Sequence, residues 1–118
     1  MYMKIMTADQ ATTHVNGSHC VAREYPLGNE HINGAVVTVT GRYPEVGRVT
    51  NLKCTELAYV IAGKGGVVIE GVVQNLNQGD LLLIEPRKKY YWEGNLEMFI
   101  SCVPSDCFCA PKLLHFWK

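Results

Sequence analysis

Short apolar runs, each closed by turn residues, alternate along the middle of the chain. The runs cover residues 56–62, 67–70, 72–76, 81–84 and 90–93. Between them lie glycine-rich stretches and a proline, which cannot donate a backbone hydrogen bond to a strand ladder. Strands this short, with turn signals at this spacing, predict an all-β sandwich or barrel.

We expect the chain to form a single domain without helices. Its 118 residues are a usual length for one domain. The predicted parts are an N-terminal arm, 1–34, a barrel, 35–103, and a C-terminal tail, 104–118. The apolar pieces 3–6 and 20–25 predict two strands in the arm, which pack on the barrel or on a partner subunit. The tail is apolar but irregular, and the pattern gives it no place on the barrel.

The strand that begins the central pattern is apolar on both faces. Positions 56, 58 and 60 share one face, while Leu57, Tyr59 and Ile61 share the other. A strand of this kind must be covered on both sides. The interior of a small barrel covers one side. The N-terminal strands or a second subunit must cover the other, so we expect a homodimer.

Charge and cysteine content narrow the classes of function. The 11 basic and 11 acidic residues balance without a basic stripe, so a nucleic-acid partner is not expected. The first residues, MYMKIMTADQ, contain no long apolar core, so neither a signal peptide nor a membrane span is expected. The 5 cysteines are odd in number and unevenly spaced, which favours reduced thiols and a cytoplasmic location.

The central pattern resembles the paired motifs of the cupin superfamily. The matching residues are Glu56, Tyr59-Val60-Ile61, Gly63 and Gly65, followed by Gly79-Asp80 and Pro86. Cupin motifs contain, in order, two histidines, a glutamate, a strand ending in glycine, Gly-Asp, a Pro-x-Gly corner and a last histidine. The resemblance covers about residues 35–103 and implies a cupin-type double-stranded β-helix, or jelly-roll, barrel.

Most of the metal ligands of the family are replaced in this chain. The histidine pair is replaced by Thr50 and Leu52, or by Val49 and Asn51 in the neighbouring register, and Tyr90 stands at the position of the last histidine. Only Glu56 remains. The resemblance therefore implies a barrel without a bound metal, and no cofactor is expected.

Other groupings of metal-ligating residues are conceivable. Cys54 and Glu56 share a face with His31 as a remote third ligand, and Cys102, Cys107 and Cys109 could combine with His115. Neither group has the paired spacing of a known metal motif. Because free cysteine is a common buried small side chain, packing is the favoured interpretation for both groups.

Glu56 points into the barrel by its motif position, and the small Ala58 beside it leaves room. An isolated buried carboxylate is costly, so we expect either a cationic partner (Arg48, Lys53 or Arg42) or a raised pKa that keeps the acid protonated. The functional interpretation is a general acid/base or a carboxylate that anchors a ligand. The alternative is a structural hydrogen bond.

Tyr90 and Trp92 share a face by alternation, and Tyr90 occupies a motif position. A phenol and an indole can flank a small ligand with flat apolar surface and one polar group each. The alternative is that both rings fill the barrel. Arg48 precedes the motif strand, and we expect it at the rim, where its guanidinium can hold a carboxylate or a phosphate.

These features predict a metal-free cupin-type protein that binds a small molecule in the barrel mouth. The predicted site contains Glu56 and Tyr90 as proton-exchanging residues, with Arg48, Ala58 and Trp92 as binding residues. A sugar- or small-acid-modifying activity would extend this function. A metal-dependent enzyme with substituted ligands and a non-catalytic interaction protein with a filled barrel are the alternatives.

Overall fold

The computed structural model describes residues 3–104 and, for the backbone alone, 112–114. Within these ranges the chain is built from strands apart from one short 3₁₀ helix. The elements are the helix Ala8–Gln10 and the strands β1 Thr12–Val15, β2 Cys20–Glu24, β3 Ala35–Tyr43, β4 Arg48–Thr50, β5 Thr55–Ile69, β6 Val72–Asn77, β7 Leu81–Ile84, β8 Tyr90–Val103 and β9 Lys112–Leu114.

The strands form an antiparallel sheet that is organised around β5 and β8. The order β1-β2-β3-β8-β4-β9 runs through β8, while β5 pairs with β6, β7 and β8. β5 and β8 are in register from Thr55 opposite Val103 to Ile69 opposite Tyr90. The predicted all-β barrel is confirmed. Among the described residues, no helix has the length and apolar character needed to cross a membrane.

The sequence predicted that the glycine-rich stretch 63–66 and Gly94 end strands. That prediction is wrong, because these residues lie inside β5 and β8. Gly65 lies directly opposite Gly94. A Cβ atom on Gly65 would overlap the carbonyl oxygen of Glu93, so only glycine permits this close approach of the two backbones. Gly63 adopts a φ of +90°, and a register shift separates Val60 from Ala62. These irregularities let two long strands bend around the barrel.

The predicted alternation along β5 is confirmed. Glu56, Ala58 and Val60 are buried in the barrel interior, where the packed residues include Val67, Leu96 and Met98. On the opposite face, Leu57, Tyr59 and Ile61 are 40%, 45% and 38% exposed. Inward and outward positions therefore follow the period of two that a pleated strand imposes.

The outer face of the sheet carries a row of apolar side chains. In register across four strands lie Leu81, Tyr59, Phe99 and Val36. The N-terminal strands β1 and β2 extend the sheet beside β3. Within the described residues they leave Tyr59 and Leu81 uncovered. The expectation that residues 3–6 form a strand is wrong, because the first strand is Thr12–Val15.

Candidate functional site

The carboxyl group of Glu56 lies at the centre of a buried polar cluster. Its Oε1 atom accepts a hydrogen bond from Asn51 Nδ2 at 2.9 Å and another from the Tyr90 hydroxyl at 3.0 Å. The thiol of Cys102 approaches the same oxygen at 3.9 Å. We refer to Asn51, Glu56, Tyr90 and Cys102 as the Glu56 cluster.

Three parts of the sheet bring these residues together. Cys102 lies directly opposite Glu56 in the β5–β8 register. Tyr90 begins β8 and pairs with Val49 of β4, so the end of β4 is held beside it. Asn51 directly follows β4, and the Glu56 cluster therefore gathers at one end of the barrel, where β4, β5 and β8 meet.

Backbone contacts fix the position of Asn51. The amide of Arg87 donates to the Asn51 carbonyl oxygen at 2.6 Å. The hydroxyl of the preceding Thr50 donates to the Lys88 carbonyl oxygen at 2.7 Å. The 86–89 turn, in which Arg87 has a φ of +69°, thus anchors the segment that carries the Asn51 side chain.

Burial controls the protonation of the cluster. Burial away from water raises the pKa of Glu56, whereas the hydrogen bonds from Tyr90, Asn51 and Cys102 lower this pKa by a smaller amount. Burial first, and then the neighbouring Glu56 carboxyl, raises the pKa of Tyr90 well above its usual value. The same two causes raise the pKa of Cys102 to about 12. Tyr90 and Cys102 therefore keep their protons at neutral pH and remain donors to Glu56.

The hydrogen-bond partners of Glu56 are neutral, so of the two expected alternatives the structure supports the raised pKa and not the ion pair. These partners are an amide, a phenol and a thiol. Arg42, a candidate cation, instead lies 3.8 Å from the centre of the Tyr91 ring and donates to the Pro44 carbonyl oxygen at 2.6 Å. Lys53 is exposed.

The Asn51 side chain has only part of its hydrogen-bonding capacity in use. Its Nδ2 atom donates to Glu56, but its Oδ1 atom is buried and has no hydrogen-bond partner among the described residues. A buried acceptor without a partner costs about 1–3 kcal/mol. Such an atom beside an acid of raised pKa is the kind of polar feature that a bound molecule can complete.

The structure places the predicted site residues as follows. Glu56 and Tyr90 are in direct contact, and Ala58 is buried on the same face of β5 as Glu56. Trp92 meets Tyr90 edge to face, with ring centres 5.9 Å apart. Arg48 is half-buried on β4, opposite Leu114 of β9. The role of these residues in binding or catalysis stays a prediction.

Sequence reasoning did not select Asn51 or Cys102 as site residues. Asn51 was visible only as one of two alternative occupants of a histidine position. Cys102 could be connected to Glu56 only through the strand register, which is a property of the folded sheet. The contact between two polar side chains so far apart in sequence leaves no local pattern.

The structure tests the first of the two alternative metal groupings but does not describe most residues of the second. Cys54 is disulfide-bonded, so the expected reduced thiol is wrong there, whereas Cys20 and Cys102 are free thiols. His31 is exposed and lies 3.6 Å from Glu30, so the grouping with Cys54 and Glu56 does not form. For the second grouping, Cys107, Cys109 and His115 lie outside the described residues. The predicted cytoplasmic location loses the support of uniformly reduced thiols and stays a prediction.

The residues of the Glu56 cluster do not fit the metal site of the cupin motifs. Zinc, iron or manganese requires three or more strong ligands that converge. The atoms that hydrogen-bond to Glu56 Oε1 most closely are the amide nitrogen of Asn51 and the hydroxyl of Tyr90, and an amide N–H is not a metal ligand. No group of three His, Cys, Asp or Glu side chains converges within the part of the chain that the structure describes.

Comparisons with known proteins identify the fold. No protein-family model and no curated protein matches the sequence. Among solved structures, a tyrosine-to-phenylalanine variant of Streptomyces Pac13 with uridine has a TM-score of 0.84 at 15% identity, covering 100% of this chain and 95% of that one. Pac13 is described as a nucleoside dehydratase.

Two further structures are similar at lower scores. KdgF from Halomonas sp. has a TM-score of 0.69 at 14% identity, covering 86% of this chain and 94% of that one. An RmlC-like cupin from Shewanella frigidimarina has a TM-score of 0.70 at 17% identity, covering 86% and 91%. At these identities the likeness establishes the fold and not the activity. The chain therefore has a cupin-type fold.

Proposed function

We propose that this protein binds a small polyhydroxylated molecule, such as a nucleoside or a sugar, at the Glu56 cluster. The observation that carries the proposal is the buried Asn51 Oδ1 atom, which has no hydrogen-bond partner among the described residues. A hydroxyl group or an N–H group of a ligand would satisfy this acceptor. The likeness to Pac13, a nucleoside dehydratase, supports the choice of ligand class.

Glu56 is the proton-exchanging residue of the proposal. Its raised pKa moves the carboxyl toward the range in which it can both accept and release a proton near neutral pH. Tyr90 is a weaker candidate for proton transfer, because its own pKa lies well above the usual value. We assign Tyr90 and Asn51 to positioning, since both donate to Glu56 Oε1.

The reaction class that suits one such carboxyl is a lyase or isomerase reaction without a change in oxidation state. In a dehydration, Glu56 takes a proton from a carbon atom of the ligand. The neighbouring carbon loses its hydroxyl group, which leaves as water when it takes up that same proton. A double bond forms in the ligand, and Glu56 returns to its starting state. General acid/base chemistry of this kind needs no cofactor.

A second candidate function, a non-catalytic protein with a filled barrel, is favoured by the packing of the interior. Tyr90 and Trp92 are 0% and 3% exposed, so in this conformation their rings are sealed from solvent. A ligand must displace or pass these side chains. Failure of every small molecule to bind would favour this second candidate.

Incubation with nucleosides and sugars, followed by proton NMR, tests the two candidates. Uridine and ribose should show line broadening when the wild-type protein is added, and a substrate should develop olefinic signals with time. Glu56→Gln should abolish turnover while binding persists. The matched control is Glu93→Gln, an exposed position on β8, which should behave like the wild type. Absence of broadening for all compounds would contradict the proposed function.

A further inference from the structure

A cavity of about 860 Å³ lies between the N-terminal arm and the outer face of the sheet. Its floor is formed by Val36 and Phe99, which are register partners on β3 and β8. The Phe99 ring lies against Gly34, where a Cβ atom would come within 2.9 Å of it. The absence of a side chain at Gly34 thus leaves room for the Phe99 ring, which forms part of an apolar floor outside the barrel.

The walls of the cavity are joined by a direct contact. Residues 3–6 form one wall and residues around 25–33 form the other. The ammonium group of Lys4 donates to the Leu27 carbonyl oxygen at 2.9 Å and connects the two walls. The residues that the sequence predicted as a first strand therefore have a different place, beside this cavity.

Side-chain and backbone hydrogen bonds hold the second wall in shape. The Asn29 Oδ1 atom accepts from the amides of His31 and Ile32 at 2.8 and 3.1 Å. The Asn33 Oδ1 atom accepts from the Cys102 amide at 3.0 Å. These contacts tie the wall to β8, so the cavity is a formed feature of the fold.

The lining has the chemistry of a site for an amphipathic anion. Most of the lining side chains are apolar, and these are Met3, Ile5, Met6, Leu27, Ile32, Val36 and Phe99. Among the described residues that line the cavity, Lys4 is the charged one and none is a carboxylate. The Lys4 ammonium has three N–H donors, of which the contact with Leu27 uses one.

We infer that this cavity binds a carboxylate with a flexible apolar body, such as a medium-chain fatty acid. The apolar chain lies over Phe99 between the methionines, whose unbranched side chains adapt to flexible ligands. The carboxylate meets Lys4 at the rim. The volume falls within the range of about 300–1,000 Å³ that is usual for small-molecule sites. This site is separate from the Glu56 cluster and does not depend on the function proposed for it.

Calorimetric titration with octanoate and with 1-octanol at pH 7 tests the inference, because the two probes differ in the charged group. Octanoate should bind to the wild type with one site, about fivefold more tightly than 1-octanol, as expected of one partly exposed charge pair. Lys4→Met should abolish this difference and keep the binding of 1-octanol. Lys64 is exposed and does not line the cavity, so Lys64→Met should retain the difference in affinity between octanoate and 1-octanol.

A second variant locates the binding. Ile32 is 54% exposed and lines the cavity, so Ile32→Glu should fold normally and weaken octanoate binding at least tenfold. No octanoate binding to the wild type would overturn the inference, and so would equal binding to Ile32→Glu. It would also be overturned if the wild type is a dimer that excludes octanoate and Ile32→Glu is a monomer, since a second copy of the chain would then occupy the cavity.

Discussion

The Tyr90 hydroxyl donates to Glu56 Oε1 at 3.0 Å, although the backbone register places Tyr90 opposite Ile69. The contact is therefore made across the barrel interior and not between neighbouring strand positions. It joins the beginning of β5 to the beginning of β8, two strands that pair along their whole length. The closed shape of the barrel is the condition for this contact.

Glu56→Gln should stabilise the fold relative to the wild type, and increasingly so as the pH rises. Because folding raises the pKa of Glu56 above its ordinary value of 4.5, the folded protein holds this proton more tightly than the unfolded chain. The stability contributed by this proton is complete below the unfolded pKa and is lost as the pH rises through the folded pKa. Glutamine keeps the shape and removes this loss.

Urea unfolding at a series of pH values measures this effect. The free energy of unfolding of Glu56→Gln, minus that of the wild type, should rise from pH 4.5 upward and then level off. Glu93→Gln, at an exposed position, serves as the control. A difference in the free energy of unfolding that does not change with pH would contradict the raised pKa of Glu56.

Tyr90→Phe should destabilise the fold by about 1–3 kcal/mol, because a buried carboxyl loses a hydrogen-bond donor. The phenylalanine ring keeps the edge-to-face contact with Trp92, so the packing is preserved. Tyr59→Phe, on the exposed outer face, should change the free energy of unfolding little. Equal effects of the two substitutions in chemical denaturation would show that the Tyr90–Glu56 contact contributes nothing.

Gly65→Ala and Gly71→Ala distinguish two reasons why a position requires glycine, namely a lack of space for a side chain and a positive φ. At Gly65 a Cβ atom would overlap the carbonyl oxygen of Glu93, so the substitution should cost more than about 3 kcal/mol or prevent folding. At Gly71 the space is open and only the φ of +81° opposes a side chain, with a cost of about 1–2 kcal/mol. Thermal unfolding of the two variants measures the difference, and a milder effect at Gly65 would contradict the close approach of β5 and β8.

The homodimer stays a prediction, and substitutions on the outer face of the sheet can test it. Tyr59 and Leu81 are register partners and are 45% and 63% exposed. Sedimentation velocity should show a dimer for the wild type and a monomer for Tyr59→Glu, because a charge beside Leu81 on this exposed apolar surface opposes association. Val73→Glu, an exposed position on β6, is the matched control and should remain dimeric. A monomeric wild type would exclude this interface.

Local patterns in the sequence predicted the fold class and the facing of β5 correctly. The alternation of Glu56, Ala58 and Val60 with their neighbours is a property of any pleated strand, so it survives folding unchanged. The assignment of turns at 63–66 and at Gly94 was wrong because these glycines serve a contact between strands. Whether a glycine ends a strand or permits close approach depends on the partner strand, which the local sequence does not reveal.

The candidate site was predictable in part. The resemblance to cupin motifs selected Glu56 and Tyr90, and the fold brings them into contact. Asn51 enters the site because the Arg87 amide holds its backbone, and Cys102 enters because of the strand register. Both placements depend on contacts between residues that are far apart in the sequence. The disulfide of Cys54 was likewise invisible in an odd number of unevenly spaced cysteines.

Binding of uridine to the wild type and to Asn51→Leu is the most direct test of the central claim, that a small molecule completes the Glu56 cluster. Leucine keeps the branched outline of the asparagine side chain, although it is larger, and it removes both the buried Oδ1 acceptor and the Nδ2 donor to Glu56. In isothermal titration calorimetry, uridine should bind to the wild type and to the exposed-site control Asn75→Leu, and it should bind to Asn51→Leu at least tenfold more weakly. Equal affinity for all three proteins, or no binding to any of them, would contradict the claim.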